Sequence, residues 1–191
     1  DGMGDIWIGT HRGLTVFDGI DFHTFTKEDG LSSNIIKSIC EDGFGTLWIG
    51  TENGGLCKMD NFAKGERSFI SFNIDLGDRD ELSINKIIET PDAKIYIGTN
   101  KGIAEIFNNE IKTYTNKDGL IDSYIYDLHE DVNGDIWFAT SSGLSLLSSG
   151  KFKNFSKSNG FPFNETFTLE EDKDDNILIG TRNGVLKLNI N

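Results

Sequence analysis

One six-residue pattern recurs along this chain at a nearly constant spacing, and that recurrence limits the fold more than any other feature. Asp5-Ile6-Trp7-Ile8-Gly9-Thr10 returns as Thr46-Leu47-Trp48-Ile49-Gly50-Thr51 and as Lys94-Ile95-Tyr96-Ile97-Gly98-Thr99. It returns twice more, as Asp135-Ile136-Trp137-Phe138-Ala139-Thr140 and Asn176-Ile177-Leu178-Ile179-Gly180-Thr181. Equivalent positions 7, 48, 96, 137 and 178 are separated by 41, 48, 41 and 41 residues. A fixed period of this length marks a structural repeat. The rest of the unit keeps phase. A Gly-aliphatic pair follows each motif (Gly13-Leu14, Gly55-Leu56, Gly102-Ile103, Gly143-Leu144, Gly184-Val185). Next come apolar pairs at Phe22 and Phe25, Phe69 and Phe72, Ile111 and Tyr114, Phe152 and Phe155. Polar loops Asp29-Gly30-Leu31, Asp118-Gly119-Leu120 and Asn159-Gly160-Phe161 then lead to runs anchored by Ile39, Ile87, Leu128 and Leu169.

Each unit therefore holds four short β-rich runs divided by Gly, Asp and Asn turns, with no helical periodicity. Four strands in about forty residues is the signature of a propeller blade. The expected fold is all-β: four-stranded antiparallel blades, about four and a half of them. Approximate blades are 1–30 (no inner strand), 31–80, 81–119, 120–160 and 161–191 (no outer strand). Helical solenoids fail on the strand spacing of runs such as Gly13-Leu14-Thr15-Val16-Phe17, and leucine-rich repeats fail on period. The long interval places its seven extra residues in turns, five of them near Asp60 to Arg67, where insertion costs little loop entropy. The second blade is expected to carry a longer loop between its third and fourth strands. This strand set closes neither a four- nor a five-bladed ring, so a piece of a longer propeller is expected, with association of chains or a small ring as alternatives.

A large aromatic at one register of every blade fills the wedge between neighbouring sheets. Burying such a ring removes about 150–250 Å² from water, at about 25 cal/mol per Å². Trp7, Trp48, Tyr96 and Trp137 are therefore read as core, and Gly9, Gly50, Gly98 and Gly180 as close-approach positions for which Ala139 is a tolerated substitute.

The motif with its trailing Gly-Leu, Asp-Gly-Leu and acidic-turn elements resembles the two-component regulator propeller repeat. Gly45-Thr46-Leu47-Trp48-Ile49-Gly50-Thr51 and Gly134-Asp135-Ile136-Trp137 carry the resemblance most fully, and the fifth copy lacks the aromatic. The resemblance covers essentially the whole chain. It implies the sensor region of a bacterial hybrid histidine kinase, on the periplasmic or extracellular side. There such repeats precede a β-sandwich, a membrane span and a kinase core, none of which is in this chain. Membrane contact is thus expected only through those other parts.

Thirty-one acidic residues against 18 basic ones give a formal net charge of −13. Such a field disfavours nucleic acid and anionic membrane surfaces. Neutral ligands and protein partners fit better: a small molecule or oligosaccharide, other propeller blades, or a second chain. Cys40 and Cys57 fall on the first and third strands of one blade, about 10 Å apart. A disulfide needs Cα atoms within about 7 Å, so two free thiols are expected.

No catalytic motif stands out: there is no GxSxG, phosphate loop or kinase signature, and no catalytic residue is assigned. Acidic turns such as Asp131-Val132-Asn133-Gly134-Asp135 and Asp172-Lys173-Asp174-Asp175-Asn176 lack the flanking helices and terminal Glu of a calcium loop, and read as hairpin turns. His11, His23 and His129 have no metal-ligand spacing, so neither a metal nor a cofactor is expected. In propellers, loops entering the innermost strands ring the central channel at one face, where polar groups converge. The corresponding residues are Asn34, Asn85, Ser123, Tyr124 and Asn164, with Tyr126 and Phe163 nearby. Asn supplies donor and acceptor, and Tyr an apolar face with a polar tip, a combination suited to a sugar; the alternative is that each Asn caps its own turn. The reading is a ligand-sensing or interaction module that is not itself an enzyme. A lyase-type propeller enzyme and a dimerisation scaffold are the alternatives.

Overall fold

A computed structural model describes residues 1–2, 4–60 and 67–190. Among them the chain forms eighteen strands in five antiparallel sheets, each a simple meander. The first sheet holds β1 (Ile6–Thr10), β2 (Gly13–Phe17) and β3 (Phe22–Phe25). The second holds β4 (Ile36–Glu41), β5 (Leu47–Thr51), β6 (Leu56–Asp60) and β7 (Ser68–Phe72). In the third are β8 (Ile84–Glu89), β9 (Ile95–Thr99), β10 (Ile103–Phe107) and β11 (Glu110–Tyr114). The fourth has β12 (Ile125–Glu130), β13 (Ile136–Thr140), β14 (Gly143–Ser148) and β15 (Lys151–Phe155); the fifth has β16 (Thr168–Glu171), β17 (Asn176–Thr181) and β18 (Gly184–Asn189). The long loop expected between β6 and β7 falls on residues 61–66, outside the described residues.

Four apolar cores lie between successive sheets, one per junction. Trp48, Tyr96 and Trp137 are buried in them, while Trp7 on the first sheet is half-buried beneath the Arg67 guanidinium, 5.0 Å from its ring. Ile39 is half-buried, unlike its counterparts Ile87, Leu128 and Leu169. The motif glycines sit where the next sheet presses in. A Cβ on Gly9, Gly50 or Gly98 would lie 2.8, 2.6 or 2.7 Å from Cγ2 of Ile36, Ile84 or Ile125, the residue that opens the next innermost strand. At the fourth junction that place is held by the slimmer Thr166, bonded to Thr140, and there the chain carries Ala139 in place of glycine. Side-chain volume is conserved across the seam, as close packing demands.

The motif threonine has its own task. Thr10, Thr51, Thr99, Thr140 and Thr181 each donate through Oγ1 to the carbonyl of Gly13, Gly55, Gly102, Gly143 or Gly184, always at 2.8 Å, closing the turn to the third strand. The Asp-Gly-Leu loops form single 3₁₀ turns capped by Thr26, Thr115 or Ser156. Gly30, Gly119 and Gly160 follow in the left-handed region at φ 103°, 105° and 94°, and Leu31, Leu120 and Phe161 plug into the core behind them.

Candidate functional site

The innermost strands β4, β8, β12 and β16 lie side by side, and a break in each ladder shapes the surface they present. The register skips between Ile36 and Ser38, between Ile84 and Lys86, and between Ile125 and Asp127. Lys37, Asn85 and Tyr126 are the extra residues, and bulges of this kind re-aim a side chain. Phe167 holds the same place in the fifth sheet, donating its N–H to Gly180, which also faces Thr168. Immediately after each bulge a polar side chain ties one innermost strand to the next. Ser38 Oγ accepts from the Ile87 N–H at 2.9 Å. Lys86 pairs with Asp127 at 3.1 Å, and Asp127 accepts from the Leu169 N–H and the Thr168 hydroxyl, both at 2.9 Å.

These bulges sort the expected site residues into two layers. Asn34, Ser123 and Asn164 are equivalent to one another and belong to the loops entering the innermost strands. Asn34 Oδ1 accepts from the Lys27 N–H at 2.8 Å, and the Ser123 hydroxyl donates to Asn116, so both brace their own 3₁₀ turn. Asn164 is exposed. Asn85 and Tyr126 sit one layer deeper, at the bulges. Asn85 reaches the next sheet, donating to the Ile125 carbonyl at 2.6 Å, and its buried Oδ1 has no partner among the described residues. Phe163 packs edge-on against Phe161 at 6.4 Å, within the last core. Tyr124 joins the layers: its ring lies 4.8 Å from that of Tyr126, which lies 5.0 Å from Phe167. Sequence reasoning does not find Phe167, Arg182 and Glu165, which stand beside Tyr126 in the structure. For Phe167 the repeat itself held a signal, since positions 37, 85, 126 and 167 are equivalent and carry four different residues; Arg182 and Glu165 are brought to it by packing alone.

A cleft of about 750 Å³ opens at the opposite end of the innermost strands and is lined by Pro91, Glu130, Asp131, Glu171, Asp172 and Lys173 among others. We place no ligand site there, because most of its carboxylates already brace the fold. Asp131 accepts the indole N–H of Trp137 at 2.7 Å and, through its other oxygen, the N–H groups of Asn133 and Asp135. Asp1 and Asp42 do the same for Trp7 and Trp48, each at 2.8 Å. In the repeat with Tyr96 the turn is braced by Thr90, whose Oγ1 accepts from the Lys94 N–H at 3.1 Å, and in the repeat with Leu178 the Lys187 ammonium takes the indole's place, 2.7 Å from Asp172. That ion pair holds the Asp172 carboxyl well below the usual carboxylate range. Among the described residues no group of three or more His, Cys, Asp or Glu side chains is arranged to hold a metal ion. Cys40 and Cys57 are free thiols on β4 and β6, with β5 between them.

The family described as two component regulator propeller matches residues 30–53 and 119–142, each running from an Asp-Gly-Leu glycine past the next aromatic motif. Two of the five repeats here thus match the repeat of that family. Among solved structures, the extracellular domain of a hybrid two-component system from Bacteroides thetaiotaomicron is 26% identical over 100% of this chain and 27% of its own, with a TM-score of 0.85. A second extracellular domain from that organism, of a one-component system, is 24% identical over 99% of this chain and 26% of its own, at 0.82. Virginiamycin B lyase from Staphylococcus aureus shares the fold at 16% identity over 100% of this chain and 68% of the enzyme, at 0.68. The propeller repeats here thus span about a quarter of the two extracellular domains they match. No protein of curated function matches the chain. No described helix is long and apolar enough to cross a membrane.

Proposed function

We propose that these propeller repeats form part of a non-enzymatic, ligand-sensing module of a two-component signalling protein, on the extracytoplasmic side of a bacterial membrane. The ligand is a carbohydrate or another small nutrient. The observation that carries this reading is the likeness to the extracellular domain of a hybrid two-component system along the full chain. The proposed ligand surface is the face where chains enter the innermost strands, built from Asn34, Asn85, Ser123, Tyr124, Tyr126, Phe163 and Asn164. Propellers gather polar groups from several blades there. The lyase likeness supports the shared fold alone, because function resides in a site and not in a fold.

A thermal-shift screen with oligosaccharides, coupled to product analysis, tests the reading. A rise in Tm without turnover is expected. Turnover would replace it with a lyase, and silence together with a concentration-dependent mass would replace it with a scaffold. The combined Asn34, Tyr124 and Asn164 alanine variant is expected to fold and to lose the ligand-induced shift. An unchanged affinity in that variant would exclude the entry face.

A further inference from the structure

The repeat supplies an internal control for its own surface. At the bulge position the second and third sheets carry Lys37 and Asn85, so packing there does not require an aromatic ring. The fourth and fifth sheets nevertheless carry Tyr126 and Phe167, in edge contact at 5.0 Å, and Tyr124 extends the group at 4.8 Å. Tyr124 stands where the earlier repeats have Ile35 and Ser83, and it is 37% exposed. Three rings thus gather on one side of the entry face, at positions the fold fills elsewhere with unrelated residues.

The polar groups around the rings narrow the chemistry. Arg182 lies over the Phe167 ring at 5.9 Å and is held by Glu165 through contacts of 2.7 and 3.4 Å. Its charge is balanced by that carboxylate, so an incoming anion gains little. A cationic ligand meets a guanidinium already stacked on the ring. Among the described residues neither the Tyr124 nor the Tyr126 hydroxyl bonds to the chain, which leaves two donor-acceptor groups on an exposed and a half-exposed ring. Burial, then Glu165 and Tyr124, push the Tyr126 phenol up, so it remains protonated and able to donate. The Asp122 carboxylate accepts from the Tyr124 N–H at 2.8 Å and the Ser142 hydroxyl at 2.5 Å, which fixes the loop carrying Tyr124.

We propose that Tyr124, Tyr126 and Phe167, with the Arg182–Glu165 pair beside them, form a stacking subsite for an uncharged, polyhydroxylated ring, the chemistry shared by neutral sugars and cyclitols. The C–H face of such a ring lies on the aromatics, and its hydroxyls bond to the phenols and to the Arg182–Glu165 fork. The proposal rests on the ligand-sensing reading and adds to it a defined subsite, with Phe167, Arg182 and Glu165 as new members.

The test is calorimetric and NMR titration of the intact protein with neutral oligosaccharides of glucose, xylose, mannose, galactose, arabinose and fructose. Separate arms contain myo-inositol, glucuronate and choline. At least one neutral saccharide, or inositol, is expected to bind, and the two arms distinguish sugar from cyclitol. Tyr126→Ala and Phe167→Ala are each expected to weaken binding at least about tenfold, the loss of one good contact. Tyr126→Phe is expected to keep most of the affinity, and far-ultraviolet circular dichroism checks that each variant folds. Binding that survives both alanine variants unchanged would overturn the subsite and leave the sensing reading intact. Tighter binding of choline or glucuronate than of any neutral compound would overturn the ligand class. No neutral compound binding to the folded wild type would overturn this subsite and the carbohydrate reading together.

Discussion

At Trp137 the indole N–H is buried with its ring and has one acceptor, Asp131 at 2.7 Å, which also holds the turn N–H groups of Asn133 and Asp135. Asp131→Ala strands all three donors and is expected to cost about 2–3 kcal/mol, read by urea denaturation. A loss below about 0.5 kcal/mol, the range of a neutral surface change, would mean the brace is incidental. Glu130 is the counter-example. Its counterparts Glu41, Glu89 and Glu171 accept the backbone N–H of Gly2, Gly43 and Val132 in the preceding sheet's turn. The equivalent residue facing Glu130 is Pro91, which has no N–H to give. Burial first, then Asp92 and Asp131, raise the Glu130 carboxyl above its usual range. A carboxyl with a raised folded pKa contributes stability that is present below the unfolded value and is lost as pH rises through the folded one. Glu130→Gln is therefore expected to match wild type near pH 4 and to exceed it at pH 7. Glu89→Gln, which weakens an acceptor in use, is expected to lower stability at pH 7. Equal pH profiles for wild type and Glu130→Gln would contradict this account.

Strands and sheets meet through volume matching at the seams. Trp48 is 6% exposed and lies 5.2 Å from Phe72, edge to face. Trp48→Ala is expected to cost about 3–5 kcal/mol, as other large-to-small core changes do, whereas Lys173→Ala on an exposed turn is expected to cost under about 0.5 kcal/mol. A small effect at Trp48 would contradict its place in the core. Gly98→Ala presses a Cβ to 2.7 Å from Ile125 Cγ2 and 3.0 Å from Leu128 Cδ2. Its expected cost is about 1–3 kcal/mol, the range for overpacking. The change to Ala at the next repeat is already native at position 139, opposite the smaller Thr166.

In the whole molecule the outermost sheets differ from the inner three. Ile6 and Ile8 on β1 are 57% and 40% exposed, and Val185 on β18 is 73% exposed. An unpaired edge beside apolar side chains seeks a partner strand. Concentration-dependent association of this 191-residue chain is therefore expected in light scattering. A strictly monomeric particle at every concentration would count against open terminal sheets. The charge of −13 acts against association by repulsion, so added salt is expected to strengthen it.

The period of the Trp-Ile-Gly-Thr motif determined the all-β architecture, because strand alternation, turn glycines and a recurring core aromatic are local patterns that survive in one dimension. The same pattern identified the close-approach glycines and the core role of the aromatics. Other features needed the third dimension. The Asp brace was visible in sequence as an acid six residues before each Trp, yet the turn chemistry of Asp accounted for it equally well until the indole N–H was seen to point at it. The bulges at Lys37, Asn85 and Tyr126 arise from how one ladder slips against another, and no composition rule marks the residue that drops out of register. For the same reason Asn34 and Asn85, grouped by residue type, lie in different layers. Phe167, Arg182 and Glu165 join Tyr126 only because successive innermost strands stand side by side. Local periodicity sets which residues form a blade; the packing of one blade on the next sets which side chains meet.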